Sequence, residues 1–275
     1  MRVRITGIRT NLPKPMPRAR RIVSISPSNT EILHALGLGR RIVGVDDWSD
    51  YPPRVRSLPK LGSDLRVDIE RVRALQPDLV VASLHVPGME ANIAGFEAAG
   101  FTYLALGGLG LDGIWEDMRG IGHYLGRSER AEAMIAQTQG RMRAVAARCG
   151  DTGVRPRVHW EWSAHPFVAA RRSWITEMLH LAGAENVYGD LDVESVRVTP
   201  DEAVRRDPDV VVACWCGARK LPTLERIQQR WDGRLSTKAT AVFAEDLFGR
   251  PGPRLADGLE RLAELLHPSG AAGAS

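Results

Sequence analysis

From residue 21 onward, short β-branched runs alternate with stretches in which apolar residues recur every three or four positions, a pattern that predicts an α/β protein. Residues 21–25 (RIVSI) read as the first strand, stopped by Ser26-Pro27-Ser28-Asn29-Thr30. Ile32, Leu33, Leu36 and Leu38 then mark one face of a helix that Gly37 and Gly39 bring to an end. The same rhythm predicts strands over 42–45, 79–82 and 102–106, with helices over 68–75 and 89–99. Short strands alternating with helices build parallel sheets from βα units.

Between about residues 114 and 149 the strands stop. Trp115, Met118, Ile121, Leu125, Ala131, Met134, Ile135, Met142 and Val145 mark a long helical stretch. Gly126 is a place for a break, and Ser128 can cap a second segment. Read as one helix, some 35 residues at 1.5 Å each span roughly 50 Å, the length of a strut. Beyond the Gly/Pro-containing stretch 150–156 the alternation resumes, with strands over 158–162, 210–214 and 241–244 and helices over 173–182, 200–206, 223–229 and 253–266.

The two halves resemble each other. EILHALG (31–37) matches EMLHLAG (177–183), and PDLVVA (77–82) matches PDVVVA (208–213), in the same order. The predicted fold is therefore α/β: two Rossmann-like lobes with mostly parallel sheets, joined by one long helix, with a ligand cleft between the lobes. The expected divisions are an arm over 1–20, a lobe over 21–112, the connecting helix over 113–150 and a second lobe over 151–275.

Composition narrows the class. A chain of 275 residues with 44% hydrophobic and 25% charged residues is ordinary for a globular protein. Its net charge of +4 comes from scattered, mostly arginine side chains, which argues against nucleic acid as partner. Cys149, Cys214 and Cys216 cannot form a disulfide framework. No stretch approaches the ~20 apolar residues of a membrane span. The first 21 residues lack the apolar core of a secretory signal, which makes the cytoplasm the alternative location to the one given below.

Several side chains are placed for chemistry. Trp48 and Tyr51 lie in a Pro-bounded loop after a strand, where aromatic faces can cover a flat ligand with little entropy loss. Trp160 and Trp162 alternate with His159 and Glu161, so the pairs face opposite sides of one strand; Trp162 is the ligand candidate and Trp160 the core candidate. Trp215, between Cys214 and Cys216, follows another strand as a candidate lid. His85 and His165 sit at equivalent strand ends, where neutral imidazole suits cobalt or iron. Arg171, Arg172, Arg250 and Arg254 are candidates to reach carboxylates or phosphates.

The segments SISPSNTEILHALGLGRRIVGV (24–45), SDYP (49–52), IERVRALQPDLVVA (69–82), TPDEAVRRDPDVVVA (199–213) and FGRPGPRLADGLERLAELLHP (248–268) together resemble the cobalamin, haem and ferric-siderophore receptors of ABC importers. That resemblance implies a substrate-binding protein and not an enzyme, monomeric, with no intrinsic cofactor. Its expected ligand is a metal chelate (a corrinoid such as cobalamin, haem or a ferric siderophore), its partners are an ABC permease and its ATPase, and its location is the periplasm or cell envelope. It implies that Glu70 and Asp201, with Glu202 adjacent, pair with permease arginines, that Tyr51 packs on a ring face, and that Asp246, followed by Leu247 and Phe248, lies in the cleft with Phe248 beside it. Asp64, Ser83 or Leu84, and Ser195 stand where the cobalamin receptor has pocket tryptophans, which puts cobalamin itself in doubt. The rival readings are a cytosolic corrinoid or tetrapyrrole carrier, and a metal chelatase-type enzyme using His85, His165 and Glu161.

Overall fold

The computed structural model describes residues 7–12, 14–149, 153, 155–165, 167–218, 220–231, 234–235, 237 and 239–268. The chain divides between Gln137 and Thr138 into two compact units.

In the first unit the elements run β1 (Arg9–Thr10), β2 (Ile22–Ser24), α1 (Pro27–Ala35), β3 (Ile42–Val45), β4 (Gly62–Ser63), β5 (Arg66–Val67), α2 (Ile69–Ala74), β6 (Leu79–Ser83), α3 (Glu90–Ala98), β7 (Tyr103–Leu106) and α4 (Gly110–Tyr124). The main sheet has the order β1-β7-β6-β2-β3, parallel except for β1. β2, β6 and β7 are apolar and buried along their length, as strands covered on both faces must be. Val23, Val72, Val80, Ile93 and Phe96 pack one face of that sheet into a core. Helix α5 (Ser128–Cys149) spans the division.

The second unit contains β8 (Arg157–Glu161), β9 (Phe167–Ala169), α6 (Trp174–Leu181), β10 (Glu185–Asn186), β11 (Ser195–Arg197), α7 (Pro200–Arg205), β12 (Val210–Ala213), α8 (Leu224–Trp231), β13 (Ala239–Val242) and α9 (Leu255–Leu266). Its sheet runs β11-β9-β8-β12-β13, with β10 also paired to β8.

The sequence repeat is a structural one. In parallel order the first sheet reads β3-β2-β6-β7 and the second β10-β8-β12-β13. The likeness extends to single hydrogen bonds. Arg21 Nη2 donates to Leu75 O at 2.6 Å and its Nε to Gln76 O at 3.2 Å; Arg157 Nη2 donates to Arg206 O at 2.6 Å and its Nε to Asp207 O at 3.3 Å. Both arginines thus cap the carbonyl end of a short helix. Gln76 and Asp207 share a φ of 46°, and the next aspartates, Asp78 and Asp209, accept from Arg21 N and Arg157 N. Gly37 and Gly183 end α1 and α6 at φ 75° and 71°, the left-handed turn that a Cβ disfavours.

Three expectations are revised. The 1–20 arm is in part an edge of the first sheet: Thr10 Oγ1 donates to Tyr103 O, and Asn11 exchanges bonds with Phe101 O and Tyr103 N. The strand that pairs with β7 is only two residues long, and side chains supply the remaining bonds, so it leaves no apolar periodicity to read. The 113–150 stretch is two helices, not one strut. Gly126 (φ 65°) turns the chain between α4 and α5, and a Cβ there would come within 2.6 Å of Pro17 Cβ. In the second unit, β9, β10 and β11 are two or three residues each, too short to show alternation.

Candidate functional site

In each unit the loops after the C-terminal ends of the parallel strands carry the unusual side chains, as this topology dictates for ligand sites. In the first unit these are Trp48 and Tyr51 after β3 and His85 after β6. Trp48 is half-buried and Tyr51 is exposed. Tyr51, Val86 and Leu65, the exposed large apolar residues among the described residues of this unit, all lie on these loops or on the β4–β5 hairpin beside them. Exposed apolar groups gathered on one edge mark a binding surface more than scattered ones do.

The Trp48–Tyr51 loop is rigidly held. Asp46, fully buried one residue beyond β3, accepts from Ser26 N (2.9 Å), Trp48 N (2.9 Å), Ser49 N (3.0 Å) and Ser49 Oγ (2.6 Å). Burial pushes its carboxyl above the usual range, against these bonds and the charge of Lys60. Lys60 reaches in from below, donating to Asp46 O at 3.1 Å and Ser49 O at 2.5 Å. Burial lowers its ammonium pKa, against the pull of Asp46, Asp47 and Asp50. Neither Asp46 nor Lys60 was legible as a site residue, although an aspartate directly after an apolar strand and three residues before a serine is the pattern of a side chain that caps its own loop.

The His85 side chain is nearly buried, with Nδ1 2.8 Å from Ser83 Oγ and Nε2 3.2 Å from Asp117 Oδ2. Asp117 also accepts from Gly108 N. The group pins the loop after β6 to helix α4.

In the second unit Trp162 and His165 follow β8, Trp215 follows β12, and Asp246, Phe248 and Arg250 follow β13. Trp162 and Trp215 are half-buried and His165 is exposed. As expected, Trp160 is core: it is wholly buried, with its ring 4.9 Å from Phe248, 5.9 Å from Trp162 and 6.4 Å from Phe243. Phe248 departs from expectation. It is 0% exposed and its carbonyl accepts from Trp174 Nε1, so its ring has no surface left for a ligand. Arg250 is buried too. Asp246 is paired with Arg254 at 2.9 Å, and Arg172 with Asp192 at 2.6 Å. For Phe248 the reason is that the loop after β13 packs onto the aromatic core of its own unit.

On the other face of β8, His159 and Glu161 are both fully buried. Glu161 accepts from His159 Nε2 at 3.0 Å and Trp215 Nε1 at 3.3 Å, and forms an ion pair with Arg230. Burial drives its carboxyl up, but the bond to His159 and the charge of Arg230 outweigh it and hold the group below the usual range.

Cys214 is buried, and desolvation pushes its thiol well up, which disfavours the thiolate a metal needs. Among the described residues no three His, Cys, Asp or Glu side chains gather as a metal site, and no helix is long and apolar enough to cross a membrane. A cavity of about 580 Å³ lies at the opposite edge of the second sheet, lined by Arg155, Arg157, His180, Glu185, Asp190 and Arg206 among others. Arg206 is bound to Asp190 and Glu202, Arg157 to helix carbonyls and Arg155 to His180, so these cations serve the fold. The aromatic edges are the better candidate.

Glu70 and Asp201 each stand in the first turn of a helix, α2 and α7, capped by Asp68 and Thr199. Their side chains are 79% and 69% exposed. Arg73 and Arg234 are their partners within the chain, and Glu202 is held by Arg205 and Arg206.

Residues 22–242 match the model of a family described as periplasmic binding protein. The chain belongs to the periplasmic binding protein family. It is 30% identical over 259 residues to an ABC transporter substrate-binding lipoprotein of Bacillus subtilis (strain 168), covering 90% of this chain and 80% of that one. Among solved structures it is similar to a periplasmic heme binding protein from Pseudomonas aeruginosa (TM-score 0.79, 26% identity, 91% of this chain and 94% of that one). The periplasmic vitamin B12 binding protein of Vibrio cholerae is another (TM-score 0.74, 25% identity, 92% and 98%). The two α/β units, with the repeated parallel core described above, are the periplasmic binding protein fold of these relatives.

Proposed function

We propose that this protein is the substrate-binding component of an ABC importer in the cell envelope, and that it binds a metal chelate with a broad flat face, of corrinoid or haem type or a ferric siderophore. One observation carries the reading: half-buried or exposed aromatic side chains follow the parallel strands of both sheets, on loops braced by buried carboxylates. The side chains we assign to ligand contact are Trp48 and Tyr51 in the first unit and Trp162, His165 and Trp215 in the second; Phe248 and Arg250 are not among them. The relatives supply the class, being named as binders of vitamin B12 and of heme. Glu70 and Asp201 dock on the permease, exchanging Arg73 and Arg234 for its arginines, with Glu202 adjacent. Charge pairs of this kind govern register and encounter rate more than ligand affinity.

Visible-absorbance titration against cobalamin, cobinamide, haem and a panel of ferric siderophores tests the ligand class. One of these should bind with a Kd near or below about 1 μM, a free energy of about −8 kcal/mol, and be recovered chemically unaltered. Failure of every chelate to bind, or insertion of metal into free macrocycle, refutes the reading. For docking, E70R/D201R should abolish transport in reconstituted vesicles with ligand affinity unchanged; a lost affinity would remove these residues from the permease.

A further inference from the structure

Glu161 occupies an odd place for a carboxylate. It ends β8, is fully buried, and is surrounded by three donors, two of which belong to other segments. His159 Nε2 comes from its own strand, Trp215 Nε1 from the loop after β12, and the Arg230 guanidinium from the last turn of α8. Arg230 carries the link further. Its Nη1 donates to Ala164 O at 2.8 Å, inside the loop that bears Trp162 and His165, and its guanidinium lies 5.7 Å from the Trp215 ring centre and 5.1 Å from that of Trp231. The carboxylate can only accept, so His159 Nε2 carries a proton; in the neutral ring Nδ1 then accepts from Tyr188 O–H at 2.7 Å.

We propose that Glu161, which is fully buried, and Arg230, which is half-buried, are a positioning pair that sets the ligand-facing poise of Trp215 and of the 162–165 loop, without touching ligand themselves. The proposal rests on the ligand edge assigned above. Stability alone does not account for such a pair, because a buried ion pair is often replaced by apolar residues at no loss. What apolar side chains cannot supply is a fixed acceptor for an indole N–H and a fixed donor to a loop carbonyl. The pair holds both at once, and cation–π contact seats the guanidinium on the same indole. It thus fixes one aromatic wall and the loop that bears another. Preorganised walls bind more tightly because less ordering remains to be done on binding.

The test uses the full chain carrying E161Q, R230M, R230K, the apolar pair E161M/R230M, and W215F alone and combined with each. Whichever of cobinamide, haem or ferric siderophore the wild type binds is titrated by absorbance, and Tm is recorded alongside. E161M/R230M, with a Tm lowered by the two ring N–H groups it leaves unmet, should stay folded at the temperature of titration yet lose about tenfold or more in affinity, with R230K recovering part of the loss. In the W215F background the E161Q loss should shrink, because both act on the same indole. Wild-type affinity in E161M/R230M, or an undiminished E161Q loss beside W215F, overturns the proposal. A separate readout needs no ligand. The Trp215 fluorescence, taken as the difference between each protein and its W215F counterpart, should shift to the red and become more quenchable by acrylamide in E161M/R230M. Unchanged quenching overturns the proposal by itself, whereas a wild type that binds no chelate overturns the ligand assignment.

Discussion

Replacing Asp46 by alanine should damage the first unit out of proportion to the size of the side chain. The carboxylate accepts from three backbone N–H groups and one hydroxyl. The Ser49 hydroxyl has a second partner in Thr30 Oγ1 at 2.9 Å, and Trp48 is only half-buried, so water can reach its N–H. The N–H groups of Ser26 and Ser49 belong to buried residues and have no such relief. Each buried donor left unmet costs about 1–3 kcal/mol. Part of this is offset, because burial already penalises the charge and holds the Asp46 pKa up. A net loss of about 2–4 kcal/mol follows, large beside the 5–15 kcal/mol typical of a domain. D46N keeps one acceptor oxygen and sheds the buried charge, so it should lose about half as much. Urea unfolding followed by far-UV circular dichroism measures both, with the midpoint moving and the m-value fixed. If D46A unfolds within about 0.5 kcal/mol of wild type, or if D46N is the worse of the two, Asp46 is not the acceptor that holds the Trp48 loop.

D78A and D209A should each cost about 1–2 kcal/mol, D78A the more, because Asp78 accepts from Arg20 N and Arg21 N and Asp209 from Arg157 N; a urea midpoint unchanged in either, or a larger loss in D209A, would refute this. G126A places a Cβ at φ 65° and within 2.6 Å of Pro17, and should lower stability by about 1–3 kcal/mol, with a wild-type Tm counting against the turn between α4 and α5. Because the folded-state pKa of Glu161 lies below its ordinary value of 4.5, its contribution to stability is fully present above that pH and is lost as pH falls through the lower folded value; the acid limb of Tm against pH should be shallower in E161Q, and an unchanged limb would refute the assigned direction.

The parallel cores were legible because apolar runs and helix stops carry their own chemistry. Asp68, Ser173 and Thr199 cap α2, α6 and α7, so the predicted helix starts fell within a residue or two. The PD·strand repeat was equally plain, since Pro77 and Pro208 each follow a left-handed residue at a helix end. What escaped was whatever depends on partners distant in sequence. β1, two residues long, pairs with β7 some ninety residues away and is tied to Tyr103 there by the side chains of Thr10 and Asn11. Phe248 and Arg250 read as loop residues free to meet a ligand, but nothing local told that the chain buries both, Phe248 against Trp160 and Trp174. The alternation of His159 and Glu161 with two tryptophans announced two unlike faces of β8. Only the arrival of Arg230 and Trp215 from other segments turned the polar face into a hub.

The two units therefore share their N-terminal edges and differ at their C-terminal ones. At the shared edge Arg21 and Arg157 perform the same bonds to the same kind of helix end, down to the φ of the turn residue. At the other edge, both units bury a carboxylate at the end of a strand, but the donors differ in kind. Asp46 is met mainly by backbone N–H groups, which any sequence in that loop would supply, so Trp48 and Tyr51 can be exchanged without disturbing their support. Glu161 is met by an indole, an imidazole and a guanidinium, so its support is written in side chains and changes with them. Substitutions that retune ligand preference should thus be tolerated singly in the first unit and need compensating partners in the second. Stability-neutral single replacements of Trp215 with affinity loss confined to direct contact, leaving the Trp162–His165 loop undisturbed, would contradict this asymmetry.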